Sequence, residues 1–541
     1  MSGITWGGEG VLNPAIICCD RHCGADRTAL TWVGQDGASK VFTFEQLKDL
    51  SGRFANVLRR HGVGPNDRVA GLLPRTPELL ITILGVWRVG GVYQPLFTAF
   101  GPRAIEHRLS TSGAKVVVTD AQNRAKLDDI VGTAKIATVS GDCAVERPAD
   151  IDFARELEAS SPQFVPVARA LSDPFLAMFT SGTSGPAKPL SVPIRAIAAF
   201  MGYMRDAAGL KLADPYWNIA DPGWAYGLYY GIVGPLALGH ATLLFDGPFA
   251  VEPVVRLIAE HGITHLAGPP TAFRQIIAAG AGAVREIKGR LRAISSAGEP
   301  LNPEVIRWVA EHLGVTIHDH YGQTEAGMVL CNHHALEHPV RAGAAGFAVP
   351  GHRVVVLGDA DEELPPGAPG ELAIDRLNSP LFWFAGYDGL PTPSLGARYY
   401  RSGDTAELNL DGSISFVGRT DDVITSSGYR IGPFDVESAL AEHPAVLEAA
   451  AIGKPDPVRT EIVKAFVVLH ASCQPSDVLA EELRLHVRQR LSAHAYPREI
   501  EFVASLPRTP SGKIQRFLLR NLEQEKAARP PARANQARDQ P

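Results

Sequence analysis

Helix-spaced and strand-like apolar segments alternate along most of this chain, and that alternation constrains its fold more than any other feature. "FTFEQLKDLSGRFANVLRRHG" has helical apolar spacing and stops on Gly62, "RVAGLLP" is a short buried strand, "PELLITILGVWRVGGV" reads as a helix and "AKVVVTD" as a strand. The rhythm resumes after residue 190. It gives a helix near 194–209, a strand near 241–245, a helix over 252–261, the strand "THLAG", a helix over 303–313 and the strand "TIHDHYG". Strands alternating with helices predict a parallel sheet covered by helices. From about residue 353 short runs follow, "HRVVVLG", "GELAID", "AELNL" and "SISFVGR", set apart by Asp, Gly and Pro; they predict a smaller β-rich unit. A last compact unit, from about 421 to 520, contains the helices "DVESALAEHPAV" and "DVLAEELRLHVRQRL" and the strands "AAAIG", "VKAFVVL" and "REIEFVA". The expected class is α/β and multidomain. A large N-terminal domain (1–420) of helix-covered mixed sheets carries a β-rich subdomain at about 350–420. A small α+β C-terminal domain (421–525) and a polar, Pro-rich, disordered tail (526–541) follow.

At 541 residues the chain has room for roughly three or four domain-sized units of about 150 residues. A net charge of −6 and the lack of a Lys/Arg-rich run argue against nucleic acid as a partner. "MSGITWGGEG" has no basic flank before an apolar core, so it does not read as a signal peptide. Pro222–Phe245 holds no charged residue, but two prolines, five glycines and His240 interrupt it. A buried helix and strand is expected there, not a membrane span. The six cysteines show no Cys-x-x-Cys spacing, and "CCDRHC" has no second cluster to complete a zinc site. Reduced thiols of a cytoplasmic protein are the expectation.

The stretch "FTSGTSGPAKPL" (Phe179–Leu190) looks like a phosphate loop but fails the common triphosphate spacing, because Lys188 follows Ala187 and precedes Pro189. It also fails the dinucleotide glycine pattern. Its chemistry still suits an anion. Gly182 and Gly185 let backbone N–H groups turn inward, Thr180, Ser181, Thr183 and Ser184 add hydroxyls, and Lys188 adds a charge. "FLAMF" before it is a strand, and Pro193 delays the next helix, so the expectation is a loop that closes over a phosphate. Taken alone, the same residues would equally suit a Gly/Ser surface turn.

Further motifs follow in fixed order: "SSAGEPL" (Ser295–Leu301), "DHYGQTEAG" (Asp319–Gly327), the long run Tyr400–Glu437 containing "RSGDTAEL", "GRTDD" and "SSGYR", and "PRTPSGKIQR" (Pro507–Arg516). With the glycine loop, this set resembles the superfamily of acyl-adenylate-forming enzymes, which includes acyl-CoA synthetases, carrier-loading adenylation domains and luciferase. The resemblance covers nearly the whole chain; Ser184 and Ala187 depart mildly from the commonest loop.

The resemblance implies a reaction that joins a carboxylate to ATP, releases pyrophosphate and passes the acyl group to a thiol. Two anions must meet, so the site must supply donors and positive charge. By resemblance, the 180–188 loop holds the β- and γ-phosphates, Thr324 donates to the α-phosphate and Glu325 holds Mg2+. Gly298, Glu299 and Pro300 border the adenine, with Tyr321 against its face and Asp319 near its edge. Asp404 accepts the ribose hydroxyls, backed by Arg419. Lys513 resembles the lysine that reaches the α-phosphate and the attacking carboxylate. Asp421 matches the hinge about which the small, mobile domain turns between half-reactions. Gly428 would line the pantetheine tunnel and Arg430 would serve the phosphate. The matching lysine is an acetylation target in this group, so a lysine acetyltransferase and deacetylase acting on Lys513 are expected partners.

The resemblance is strongest to the acetyl-, propionyl- and medium-chain acyl-CoA synthetase branch, with ATP, Mg2+, CoA and a carboxylic acid as the small molecules handled. Acetyl-CoA synthetases carry a Trp just before Gln-Thr-Glu; here Gly322 stands there, as in medium-chain enzymes. With Trp224, Ala225, Tyr226 and Ala297 as other walls, a short- to medium-chain fatty acid is expected, and an aryl acid stays open. Each buried CH₂ of a longer chain is worth about 0.8 kcal/mol. Arg124 and Arg488 align with arginines that contact the CoA 3′-phosphate. A carrier-protein acceptor, a luciferase-like oxygenase and a catalytically inactive nucleotide-binding protein are the alternatives.

Overall fold

The computed structural model describes residues 12–130, 132, 134–139, 147, 149–180, 187–341, 343–426, 429–456, 459–491, 495–509 and 513–528. They form two compact units, one ending at Phe416 and the other beginning at Val417.

The first unit opens with a three-stranded sheet, Thr242–Asp246, Thr28–Gly34 and Ser39–Thr43, in that order. Helix Phe44–Arg60 follows. Thr43 caps it through a reciprocal pair, Gln46 N to Thr43 Oγ1 and Thr43 N to Gln46 Oε1, which satisfies two donors at its start. Its apolar face buries Phe44, Leu47, Phe54 and Leu58.

A seven-stranded sheet runs Ile151–Asp152, Lys135–Val139, Val116–Asp120, Arg68–Leu72, Val92–Pro95, Pro174–Phe179, Pro189–Pro193. Its pairings are parallel except the last. Four of its strands were not expected from the sequence: Ile151–Asp152, Lys135–Val139, Val92–Pro95 and Pro189–Pro193. The helix expected through "PELLITILGVWRVGGV" ends at Arg88, and Gly90, with φ 74°, turns the chain into the strand Val92–Pro95. Pro189–Pro193 pairs antiparallel with Pro174–Phe179, so residues 180–188 join two strands of a hairpin.

The second large sheet begins with four parallel strands, Tyr216–Asn218, His265–Gly268, Ala293–Ala297 and Ile317–Gln323. It continues through Gly327–Cys331, Ala344–Ala348, Ile414–Arg419, Tyr399–Leu408, Pro369–Asp375 and Val354–Leu357, and its described pairings there are antiparallel. The β-rich run after residue 353 is thus joined to the parallel part by strand pairing through Ala344–Ala348 and Ile414–Arg419. One consequence matters for the site: "DHYGQTE" and "RSGD" lie on strands of one sheet. Pro222–Phe245 forms short helical turns and the edge strand Thr242–Asp246, with Tyr229, Tyr230, Ile232 and Leu236 in the core. Among the described residues no helix is long and apolar enough to cross a membrane.

The second unit has a sheet ordered Tyr429–Ile431, Ile424–Ser426, Thr460–Leu469, Val446–Asp456, with Glu499–Phe502 added in parallel to Thr460–Leu469. Helices Pro433–Ala441 and Asp477–Arg490 share a core of Ile424, Val436, Leu440, Val463, Leu483 and Val487. The last helix, Arg516–Ala528, is tied to this sheet by charge. Buried Lys464 pairs with Glu523 at 2.8 Å and with Glu501 at 2.8 Å.

Candidate nucleotide-binding site

The glycine loop is drawn together at its neck. Thr180 N donates to Lys188 O at 3.0 Å, and Lys188 N donates to Thr180 Oγ1 at 3.3 Å. Ser181, Gly182, Thr183, Ser184 and Gly185, the expected phosphate donors, lie outside the described residues. Lys188 carries its ammonium 4.9 Å from the ring centre of Tyr387, within cation–π range. The Tyr387 hydroxyl donates to Glu325 Oε1 at 2.7 Å. Glu325 is 9 % exposed and follows Thr324 in the turn between two strands; the Tyr229 hydroxyl fixes that turn by donating to Thr324 O at 3.1 Å.

These residues fit a magnesium ion that arrives with its nucleotide. Mg2+ takes hard oxygen ligands, and in nucleotide sites it uses one or two carboxylates together with substrate phosphates. Among the described residues no group of three or more His, Cys, Asp or Glu is arranged to hold a metal. A buried carboxylate with a hydrogen bond on one oxygen, beside a lysine at the mouth of a glycine loop, is the single-carboxylate arrangement.

The residues expected to receive the nucleoside stand on the large sheet. Asp404 is 4 % exposed, and its Oδ2 accepts from the Tyr321 hydroxyl and from Gln323 Nε2, the latter at 2.8 Å. Gln323 also donates to Ser402 O at 2.9 Å and accepts from the Tyr400 hydroxyl at 2.8 Å. Burial, reinforced by the Asp404 charge, pushes the Tyr321 phenol well above its ordinary pKa, so it stays a neutral donor. Burial also raises the Asp319 carboxyl well above the usual carboxylate range. Gly298 has φ 99°, a conformation a side chain resists, which explains the glycine of "SSAGEPL". The Glu299 carboxylate is engaged elsewhere: it accepts from Thr271 Oγ1 at 2.7 Å and pairs with Arg274. The carboxylate therefore anchors the Gly298–Pro300 turn to the helix Pro270–Ala278, leaving the backbone of the turn as what it offers a ligand.

Among the expected acyl-pocket residues, Trp224 packs against Phe97 and Phe100, with ring centroids 5.6 and 5.5 Å away. Its indole N–H is buried with no acceptor among the described residues. Ala225 and Tyr226 start the next helical turn, and the Tyr226 hydroxyl lies 3.5 Å from Ser295 O, two residues from the fully buried Ala297. Gly322 faces a different constraint. A Cβ there would lie 2.4 Å from Gly327 O and 2.8 Å from Met328 Cα. On this backbone the space beside Gly322 is already filled by the next strand, so the glycine answers to strand packing before it answers to an acyl chain.

The Arg124 guanidinium pairs with Asp150 at 2.6 Å and with Asp128 at 2.7 Å, using three of its five N–H donors. Arg488 is exposed on its helix, near the Tyr496 ring. Arg419 and Asp421 lie in the second unit, 3.6 Å apart. Gly428 and the Arg430 side chain lie outside the described residues. Lys513 is exposed; its N–H donates to Thr509 Oγ1 at 3.1 Å and its carbonyl accepts from Thr509 N at 2.8 Å. Three residues later, Arg516 clamps Glu437 at 2.7 and 2.8 Å, tying the lysine's segment to helix Pro433–Ala441.

Sequence reasoning missed Gln323, Tyr400, Tyr387, Phe97 and Phe100. Gln323 was inside a quoted motif and could have been found as its only amide. Tyr387 carries no local signal, because its role depends on a loop distant in sequence meeting both Lys188 and Glu325.

The chain matches the AMP-binding enzyme family over residues 19–380 and the AMP-binding enzyme C-terminal domain over residues 435–513. It is 38 % identical over 531 residues to an acetyl-coenzyme A synthetase of Bacillus subtilis, covering 95 % of this chain and 91 % of that protein. It is 34 % identical over 512 residues to the mitochondrial acyl-coenzyme A synthetase ACSM4 of Rattus norvegicus, covering 92 % of this chain and 86 % of that one. The crystal structure of a Brucella canis acyl-CoA synthetase is similar at 58 % identity and a TM-score of 0.78, covering 97 % of this chain and 96 % of that one. Two matched family regions and near full-length similarity, on the geometry above, place this chain in the AMP-binding enzyme family.

Proposed function

We propose that this chain is an AMP-forming acyl-CoA synthetase, an acid–thiol ligase that uses ATP, Mg2+ and CoA. It activates a carboxylic acid as the acyl-adenylate with release of pyrophosphate, then transfers the acyl group to CoA, giving acyl-CoA and AMP. The observation that carries this reading is the meeting, in the first unit, of Lys188, Glu325 and Thr324 on one side and Asp404 with Tyr321 on the other. Those groups suit the two ends of a nucleotide triphosphate: cation and metal-binding carboxylate for phosphate, acceptor for ribose. The names of the relatives support thioester formation with CoA.

Residue roles follow. The 180–188 loop receives the β- and γ-phosphates, Thr324 the α-phosphate and Glu325 the magnesium. The Gly298–Pro300 backbone, Tyr321 and Asp319 receive adenine, and Asp404 with Arg419 the ribose. Bound Mg2+ would neutralise phosphate charge; the chain's own part is to aim Glu325 and Lys188. Lys513, exposed and conformationally held by Thr509, supplies positive charge where carboxylate and α-phosphate meet. Asp421 is the hinge between half-reactions, and Gly428, Arg430 and Arg488 belong to the thioester half. Arg124, held by Asp150 and Asp128, contacts the CoA 3′-phosphate in this reading. The acid is a short- to medium-chain fatty acid bounded by Trp224, Ala225, Tyr226 and Ala297. Acylation of Lys513 by a lysine acetyltransferase would remove its charge and stop adenylation. A cytoplasmic location completes the reading.

The test is pyrophosphate release against acids from acetate to decanoate, with benzoate, with and without CoA. Acid-dependent release with thioester formation supports the ligase. Release without a CoA thioester would instead favour an adenylating enzyme with another acceptor. Lys513→Ala should abolish adenylate formation while leaving ATP binding, and wild-type adenylation by that variant would remove Lys513 from the chemistry.

A further inference from the structure

The segment Gly386–Asp388 belongs to none of the motifs read from the sequence, yet it touches three parts of the nucleotide site. The Tyr387 hydroxyl donates to Glu325 Oε1 at 2.7 Å. The ring of the same residue lies 4.9 Å from Lys188 Nζ. The next residue, Asp388, grips the strand leaving the glycine loop: its N–H donates to Pro189 O at 2.9 Å, and its Oδ2 accepts from Ser191 Oγ at 2.8 Å. Arg68 stands 3.7 Å from the same carboxylate oxygen. The segment is itself fixed, because Tyr387 N donates to Thr392 Oγ1 at 2.9 Å.

We infer that Tyr387 is a positioning residue that sets Glu325 and Lys188 together for the metal–triphosphate. The inference rests on the reading of Glu325 as the magnesium ligand and of Lys188 as a phosphate contact. The two groups have opposite charge, Lys188 at the exposed end of the glycine loop and Glu325 in the turn between Ile317–Gln323 and Gly327–Cys331, and in direct contact they would form an ion pair that serves neither metal nor phosphate. The phenol separates them. Its hydroxyl holds one carboxylate oxygen, which fixes the plane of the carboxylate and leaves lone pairs for a cation. Its face supports the ammonium without accepting a proton from it. Partners that orient a metal ligand in this way commonly change metal affinity by about 10- to 100-fold when removed.

Two variants separate the two contacts. Tyr387→Phe removes the hydroxyl and keeps the ring; Tyr387→Leu removes both. The readout is calorimetric binding of a non-hydrolysable ATP analogue to the full chain as Mg2+ is varied, with and without EDTA. Tyr387→Phe should raise the Mg2+ concentration for half-maximal analogue binding about tenfold, while metal-free affinity stays within about twofold because the contact to Lys188 survives. Tyr387→Leu should weaken both. A merely structural tyrosine would move the metal-dependent and metal-free values together, and that result overturns the inference. Glu325→Gln is the control arm. If it leaves Mg2+ dependence unchanged, the reading of Glu325 falls and the inference with it. If it shifts Mg2+ dependence and Tyr387→Phe does not, the inference alone is overturned.

Discussion

Gln323 holds Asp404 in place: its side-chain N–H lies 2.8 Å from Asp404 Oδ2, and its amide oxygen accepts from the Tyr400 hydroxyl at 2.8 Å. The amide, at the end of Ile317–Gln323, thus ties the orientation of Asp404 to Tyr400, both of them on Tyr399–Leu408. Asp404 is the proposed ribose acceptor, and a carboxylate free to rotate grips two hydroxyls poorly. Gln323→Ala should raise the KM for ATP about tenfold, since a hydrogen bond to a charged group is worth about 1.5–3 kcal/mol. Steady-state kinetics at saturating acid checks this; an unchanged KM would mean that Asp404 does not depend on the amide.

Gly322 should tolerate no side chain without a shift of its strand pair. A Cβ there meets backbone atoms of Gly327 and Met328 at 2.4 and 2.8 Å, and backbone cannot step aside as a flexible side chain can. Gly322→Ala should lose about 1–3 kcal/mol of stability, the usual cost of overpacking, read by denaturant unfolding. A neutral substitution would show that the strands relax freely, and would restore Gly322 as a simple opening toward the acyl chain.

The segment bearing Lys513 should loosen when Arg516 loses Glu437. Both side chains are largely buried, and Glu437 also accepts from Ala451 N at 2.8 Å. Removing one partner of a buried pair strands the other, at about 3–5 kcal/mol. Arg516→Ala should therefore speed hydrogen exchange across the second unit and leave the first unchanged. Equal exchange in wild type and variant would contradict this.

Acid should destabilise the large sheet through its buried imidazoles. His318 and His334 stack with centroids 3.9 Å apart, and His265 and His320 lie 5.6 and 5.8 Å from His334. Burial lowers all four, His265 to about 3 and His318 to about 4, with His320 and His334 well below the usual value. Because the folded pKa lies below the unfolded one, the unfolded chain binds protons first. Stability is full above about pH 6.5 and falls as the pH drops toward the folded values, by about 1.4 kcal/mol per pH unit for each histidine. Denaturant midpoints at pH 7 and pH 5 test this; equal midpoints would mean that these rings are not held neutral.

Much of the architecture was legible because helical and strand periodicities change cleanly. Phe44–Arg60, Pro303–Leu313 and Val116–Asp120 follow their apolar spacing closely. The strands Val92–Pro95 and Pro189–Pro193 were not legible, since one is four residues after an apolar helix and the other is flanked by prolines. In the site, residues inside compact motifs could be named, whereas Tyr387 could not. The partners of Arg124 were not legible either, since only three dimensions bring Asp150 to it.

The most direct test of the account is product stoichiometry with the acid that supports the fastest pyrophosphate release. The account predicts one AMP, one pyrophosphate and one CoA thioester for each acid consumed, with all three lost on removal of ATP or Mg2+. ADP and inorganic phosphate in their place, or AMP with no thioester in the presence of CoA, would contradict it.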